Sequence, residues 1–108
     1  MADLTIATPV RGDTTVLELR GELDLASAHQ LRSSVRSVLV EDDPRQLVLE
    51  LSGLRFTDSM GLSVMVWAHQ RMVERGHELY LVAPRAAVAD VLHITGLDKR
   101  LNIQTDLP

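Results

Sequence analysis

Apolar and polar positions alternate with period two in some stretches of this chain and recur with helical spacing in others. Leu4 and Ile6 alternate with polar neighbours, and Pro9 suits an edge strand. Arg11-Gly12-Asp13 reads as a turn into a second strand, Val16-Leu17-Glu18-Leu19-Arg20, so the first two strands form a hairpin. Gly21-Glu22-Leu23-Asp24 is expected to leave that strand as a loop. Ser27-x-x-Gln30 fits a capping box, and Leu31, Val35, Val38 and Leu39 follow at helical spacing, with Arg32, Ser33 and Arg36 on the wet face. Glu41-Asp42-Asp43-Pro44 stops this helix. Leu47-Val48-Leu49-Glu50-Leu51 is nearly all apolar, which predicts a strand covered on both faces.

Residues 52–59 are expected to form a loop, followed by a second helix over about 60–75. Its core stripe is Leu62, Met65, Val66, Met72 and Val73. Gly76 suits the position just past the helix, and Arg71 and Arg75 suit its negative end. Leu79-Tyr80-Leu81-Val82 is a further strand. Pro84 opens a third helix, carrying Val88, Val91 and Leu92, that Gly96 closes. Leu101-Asn102-Ile103 is a short last strand. Strands separated by helices pair in parallel through right-handed crossovers. The expectation is a single α/β domain over residues 1–108, with a mixed, mostly parallel sheet of about five strands, an N-terminal hairpin and helices packed on the sheet.

Composition narrows the function. The 108 residues are 45% hydrophobic and 24% charged, ordinary values for a globular domain. Phe56, Trp67 and Tyr80 are the whole aromatic complement, so the core is aliphatic. The formal charge of −4 and the lack of a basic stripe argue against direct nucleic-acid binding. Absence of cysteine removes disulfides, thiolate chemistry and Cys-based metal sites, and fits a reducing compartment. The first residues lack the basic and apolar regions of a signal peptide, and no apolar run approaches bilayer length. A cytoplasmic protein with no membrane attachment is expected.

Candidate chemistry is sparse. His29, His69, His77 and His93 share no metal-ligand spacing, and the acidic run at 41–43 reads as a solvated helix end. No phosphate-cradling glycine loop occurs, and Ser59 lacks the flanking glycine of a nucleophile elbow. No catalytic residue, cofactor or metal is expected. The informative place is Thr57-Asp58-Ser59-Met60-Gly61. Asp58 can cap the second helix, with Ser59 in its first turn, and capping alone would account for both residue types. Gly61 costs about 1 kcal/mol inside a helix relative to alanine, which suggests a close backbone approach. Met60, Val64 and Trp67 form a second apolar stripe, lying either under a neighbouring helix or partly exposed as a partner-binding surface with Ser59 at its edge.

Three segments carry a resemblance. Gly21-Glu22-Leu23-Asp24, Asp58-Ser59-Met60-Gly61-Leu62 and Ile94-Thr95-Gly96-Leu97-Asp98 resemble signatures of the STAS domain and, more narrowly, of bacterial anti-sigma factor antagonists. The resemblance implies binding to an anti-sigma factor, a serine kinase with a histidine-kinase-like ATPase fold, which frees the sigma factor. It implies phosphorylation of Ser59 by that kinase, release of the modified protein, and resetting by a PP2C-type phosphatase. Asp24 matches the family position near that serine that helps engage the kinase. The implied partner-binding set is Asp24, Asp58, Ser59, Met60, Gly61 and Val64, in a protein that is itself no enzyme. Met60 stands where the family usually has a small residue, and Ser63 where glycine is frequent. The family's usual last helix is missing or truncated here, which would expose sheet surface and favour a homodimer. The departures leave open a STAS module with another task, such as a scaffold in a stress-sensing assembly, a soluble subunit of a lipid transporter or a small-ligand sensor.

Overall fold

The computed structural model describes residues 3–10 and 13–107, apart from the side chains of Pro9 and Val10. Arg11 and Gly12 of the expected turn lie outside the described residues. The elements run β1 (Thr5–Val10), β2 (Thr14–Leu23), α1 (Ala28–Glu41), β3 (Gln46–Thr57), α2 (Ser59–Glu74), β4 (Glu78–Val82), α3 (Ala86–Ile94), a 3₁₀ turn (Leu97–Lys99) and β5 (Asn102–Gln104). They form one five-stranded sheet in the order β1-β2-β3-β4-β5, in which β1 is antiparallel to β2 and every later pair is parallel. No helix follows β5 among the described residues.

Sequential strand order with right-handed crossovers puts every helix on the same side. Leu31 and Val35 of α1, Met65 and Met72 of α2, and Val88 and Leu92 of α3 accordingly join one buried cluster with Leu47, Leu49 and Leu51 of β3. The near-continuous apolar run of β3 is therefore covered by helices on one face only. Its other face contributes Val48 to a small separate cluster with Val16 and Val82, against which Tyr80 packs. The three valines are nearly inaccessible although no described helix lies over them.

Two expected loops are strand. β2 continues through Gly21, Glu22 and Leu23, and β3 continues from Ser52 to Thr57. Leu51 and Leu54 both reach the core, a spacing of three that breaks the alternation of a regular strand. The extra residue is absorbed where the register steps from Glu18↔Glu50 to Arg20↔Gly53, with a second step between Gly21 and Glu22. These slips let both strands run on to the end of the sheet where α1 and α2 begin.

The helices follow their stripes, except that Val66 of α2 is only partly buried and lies outside the core cluster, and with two further exceptions. Ser27 does not make the expected capping box. Its hydroxyl donates to the Glu22 carbonyl (2.9 Å) and accepts from the Asp24 N–H (3.0 Å), which binds it to the loop behind the helix. Val73, assigned to the core stripe of α2, is 55% exposed. Beyond α2, Gly76 adopts φ 74°, the left-handed geometry that ends a helix without a Cβ clash. Arg75 pairs with Asp43 at 2.7 Å, joining the end of α2 to the end of α1.

Candidate functional site

Asp58 organises the end of the sheet. As N-cap of α2 it has extended backbone geometry, and its Oδ1 accepts from the N–H groups of Met60 and Gly61, both at 3.0 Å. Its Oδ2 accepts from the Leu25 N–H at 2.9 Å, so one carboxylate ties the start of α2 to the loop between β2 and α1. That loop is tightened in turn by Asp24. The Asp24 Oδ1 accepts from the Ala26 N–H (3.0 Å) and Ser27 N–H (3.1 Å), and its carbonyl accepts from the Ala28 N–H (2.8 Å). Asp24 thus shapes the loop beside the Ser59 helix and leaves the capping of that helix to Asp58.

Ser59 is the first residue of α2 and is exposed, and its hydroxyl has no hydrogen bond among the described residues. Two large apolar side chains stand near it in the open, Leu25 at 72% and Met60 at 44% exposure. They border a shallow cleft of about 240 Å³ between the first turns of α1 and α2, lined also by His29, Arg32 and Ser63. Val64 closes the floor of this cleft from within the core.

Gly61 explains itself sterically. A Cβ there would lie 2.7 Å from Leu23 Cγ and 2.9 Å from the Leu23 carbonyl oxygen, and would also strike Thr57 Oγ1. The absent side chain lets the first turn of α2 sit directly on the end of β2. This is the close approach that the cost of glycine in a helix suggested.

The sequence model of the STAS domain matches residues 5–108. The chain belongs to the STAS domain family. Among relatives, the anti-sigma-F factor antagonist RsfB of Mycobacterium tuberculosis is 29% identical over 104 residues, 96% of this chain and 84% of that one. The anti-sigma-F factor antagonist RsfA of the same organism is 30% identical over 82 residues, 75% of this chain and 64% of that one. A crystal structure of an anti-sigma factor antagonist from Mycobacterium paratuberculosis superposes with a TM-score of 0.86 at 27% identity, covering 97% of this chain and 88% of the other.

Within this STAS domain, the structure gathers Asp24, Asp58, Ser59 and Met60 at one end of the sheet. The second apolar stripe of α2 splits. Met60 is exposed, Val64 is 4% exposed beneath α1, and Trp67 is half-buried under the guanidinium groups of Arg32 (4.7 Å from the ring centroid) and Arg36 (5.8 Å). Gly61 is buried too, so it and Val64 shape the site from below rather than presenting surface. Leu25 is the residue that reading the sequence missed. Its signal was an isolated large apolar residue inside a polar loop. Among the described residues no group of three or more His, Cys, Asp or Glu could hold a metal, and no helix is long and apolar enough to cross a membrane.

Proposed function

We propose that this STAS domain is an anti-sigma factor antagonist switched by phosphorylation of Ser59. In the unmodified state it binds an anti-sigma factor serine kinase through the end of the sheet that carries Asp24, Leu25, Ser59 and Met60, and so releases the sigma factor. The kinase phosphorylates Ser59 and the product dissociates. A PP2C-type phosphatase restores the binding form. The protein acts as a partner and substrate, with no catalysis of its own. The observation that carries this reading is an exposed, unbonded serine hydroxyl at a helix start, beside two exposed apolar side chains that suit a protein interface. The antagonist relatives agree with it.

The physics of the switch follows from Asp58. A phosphate adds roughly −1.5 to −2 charges at neutral pH. A bare helix start would receive that charge on its free N–H groups. Here Asp58 already holds the N–H groups of Met60 and Gly61, so the phosphate gains the dipole field but meets the carboxylate next to it. In the free protein, water screens that repulsion. In an interface the anion is desolvated beside Asp58, and a penalty of about 3–4 kcal/mol weakens binding more than a hundredfold.

Incubation with the cognate kinase and ATP, followed by mass mapping, tests the site. The phosphate is expected on Ser59, and Ser59→Ala is expected to remove it. Ser59→Asp is expected to bind the kinase about a hundredfold more weakly than wild type. Phosphorylation that persists in Ser59→Ala refutes the assignment, and equal affinity of Ser59→Asp refutes the electrostatic mechanism.

A further inference from the structure

The two long helices differ in charge from the rest of the chain. Residues 28–40 of α1 and 59–73 of α2 contain no Asp or Glu, although the chain carries fifteen carboxylates. The only acidic residue of each helix is its last, Glu41 and Glu74. The arginines of these helices are Arg32, Arg36 and Arg71, and only Arg71 is answered, by Glu74 at 2.7 Å. Arg32 is half-buried and Arg36 exposed, and neither makes an ion pair or hydrogen bond among the described residues.

Both of these guanidinium groups sit on one indole. Arg32 lies 4.7 Å and Arg36 5.8 Å from the centroid of the Trp67 ring. They are one helical turn apart, at positions i and i+4, where like charges repel. The fold holds this repulsive pair together on an aromatic ring and supplies no carboxylate to neutralise it. A guanidinium offers five N–H donors in a planar fork, so stacking leaves edge donors free for acceptors from another molecule. α1 and α2 run side by side because each follows a strand of the parallel pair β2 and β3. They are tied at the start by the Leu25 N–H to Asp58 and at the end by Arg75 to Asp43. Arg32 lines the cleft that Leu25 and Met60 border, so the cationic surface continues from the proposed Ser59 interface. Val40, one turn beyond Arg36, is 80% exposed and extends that surface with an apolar end.

We infer that an acidic segment of the bound anti-sigma factor kinase docks along the α1–α2 surface and pairs its carboxylates with Arg32 and Arg36. This partner is the one the Ser59 reading calls for, and the docking rests on that reading. Two arginines one turn apart, with Cβ atoms about 6 Å from each other, match two carboxylates one turn apart on a partner helix. Leu25 and Met60 supply apolar contact at one end, and the arginines supply sign and orientation. A kinase surface with lysines at this place would meet an unneutralised cationic pair and be rejected. Arg32 and Arg36 are thereby specificity-determining residues, distinct from the serine that receives the phosphate.

Calorimetric titration of the full chain with its cognate kinase, without ATP, at low salt (about 50 mM) and high salt (about 300 mM) tests it. Wild type is expected to bind about tenfold more weakly at high salt. The double variant Arg32→Gln, Arg36→Gln is expected to lose about tenfold at low salt and to match wild type at high salt. Charge reversal in Arg32→Glu, Arg36→Glu is expected to lose about a hundredfold at low salt. The variant Arg32→Lys, Arg36→Lys keeps the sign without the planar fork, and is expected to keep the salt dependence and lose only about threefold. Affinity of the glutamine variant equal to wild type at both salt concentrations overturns the docking, as does charge reversal without loss. A loss of the same size at both concentrations also overturns it, because the arginines would then act only as support for Trp67. A complex that ignores both arginines but is still phosphorylated on Ser59 refutes this docking alone. Absence of any wild-type complex refutes the Ser59 reading, and the docking with it.

Discussion

Replacing Asp58 separates its two duties, because its two oxygens serve different segments. Alanine removes all three hydrogen bonds. The two to Met60 and Gly61 form a helix cap, and the third, from Leu25, joins two loops through a charged acceptor. Asp58 is half-buried, so the loss sits in the lower part of the range for each contribution. Together they come to about 2–3 kcal/mol. Asparagine keeps Oδ1 for the cap but turns an N–H group toward the Leu25 N–H, and is expected to cost about 1 kcal/mol. Urea unfolding followed by far-ultraviolet circular dichroism reads both values, with an unchanged dependence on denaturant if the fold is intact. In a thermal melt the alanine variant is expected to fall by about 10 °C. A loss under about 0.5 kcal/mol for alanine is the ordinary surface value and would refute the bridging role. Asparagine as costly as alanine would mean that the cap contributes nothing.

Gly61→Ala is expected to destabilise by about 1–3 kcal/mol, against the gain of about 1 kcal/mol that alanine brings to an open helix; stabilisation in a denaturant melt would contradict the close packing on Leu23. The His93 Nδ1–H donates to the Asp98 carboxylate at 2.8 Å, and this hydrogen bond and the Asp98 charge, helped by Asp90, raise the His93 pKa above the ordinary 6.5. The protonated pair therefore stabilises the fold below pH 6.5, and the benefit disappears as pH rises through the raised value. An NMR titration of His93 should show this upward shift, and Asp98→Asn should reverse it. Trp67 is the sole tryptophan and lies under Arg32, which lines the cleft, so docking of the proposed kinase partner should change its emission and Arg32→Ala should change it in the free protein. Unchanged emission on a demonstrated complex would place the interface elsewhere.

Most of the element order was legible because burial follows simple periods over most of the chain. The cap at Asp58 and the helix stops at Gly76 and Gly96 were legible because each demands a particular residue type. The ends of β2 and β3 were not. Ser52, Gly53 and Arg55 look like loop residues, and only the pairing of Gly53 with Arg20 across a register slip shows them as strand. Ser27 misled for a related reason: a hydroxyl before a helix has several backbone partners in reach, and here the Glu22 carbonyl wins. The one-sided arrangement of helices was hidden because Val48 is as apolar as its neighbours, although it belongs to a different cluster from Leu47 and Leu49. At the candidate site, the motif and the helix start pointed to Ser59, Asp58 and Met60, and the structure places all three at the start of α2. Leu25 was not singled out, since its place beside Ser59 is set by the hydrogen bond of its N–H to Asp58, thirty-three positions away.

A sheet clothed on a single side has two surfaces with separate fates. Substitutions among Val16, Glu18, Arg20 and Glu50 alter one without touching the layer that seats α1 and α2. Selection can therefore remodel the bare side while the loop and helix start that hold Ser59 keep their support from the layer beneath.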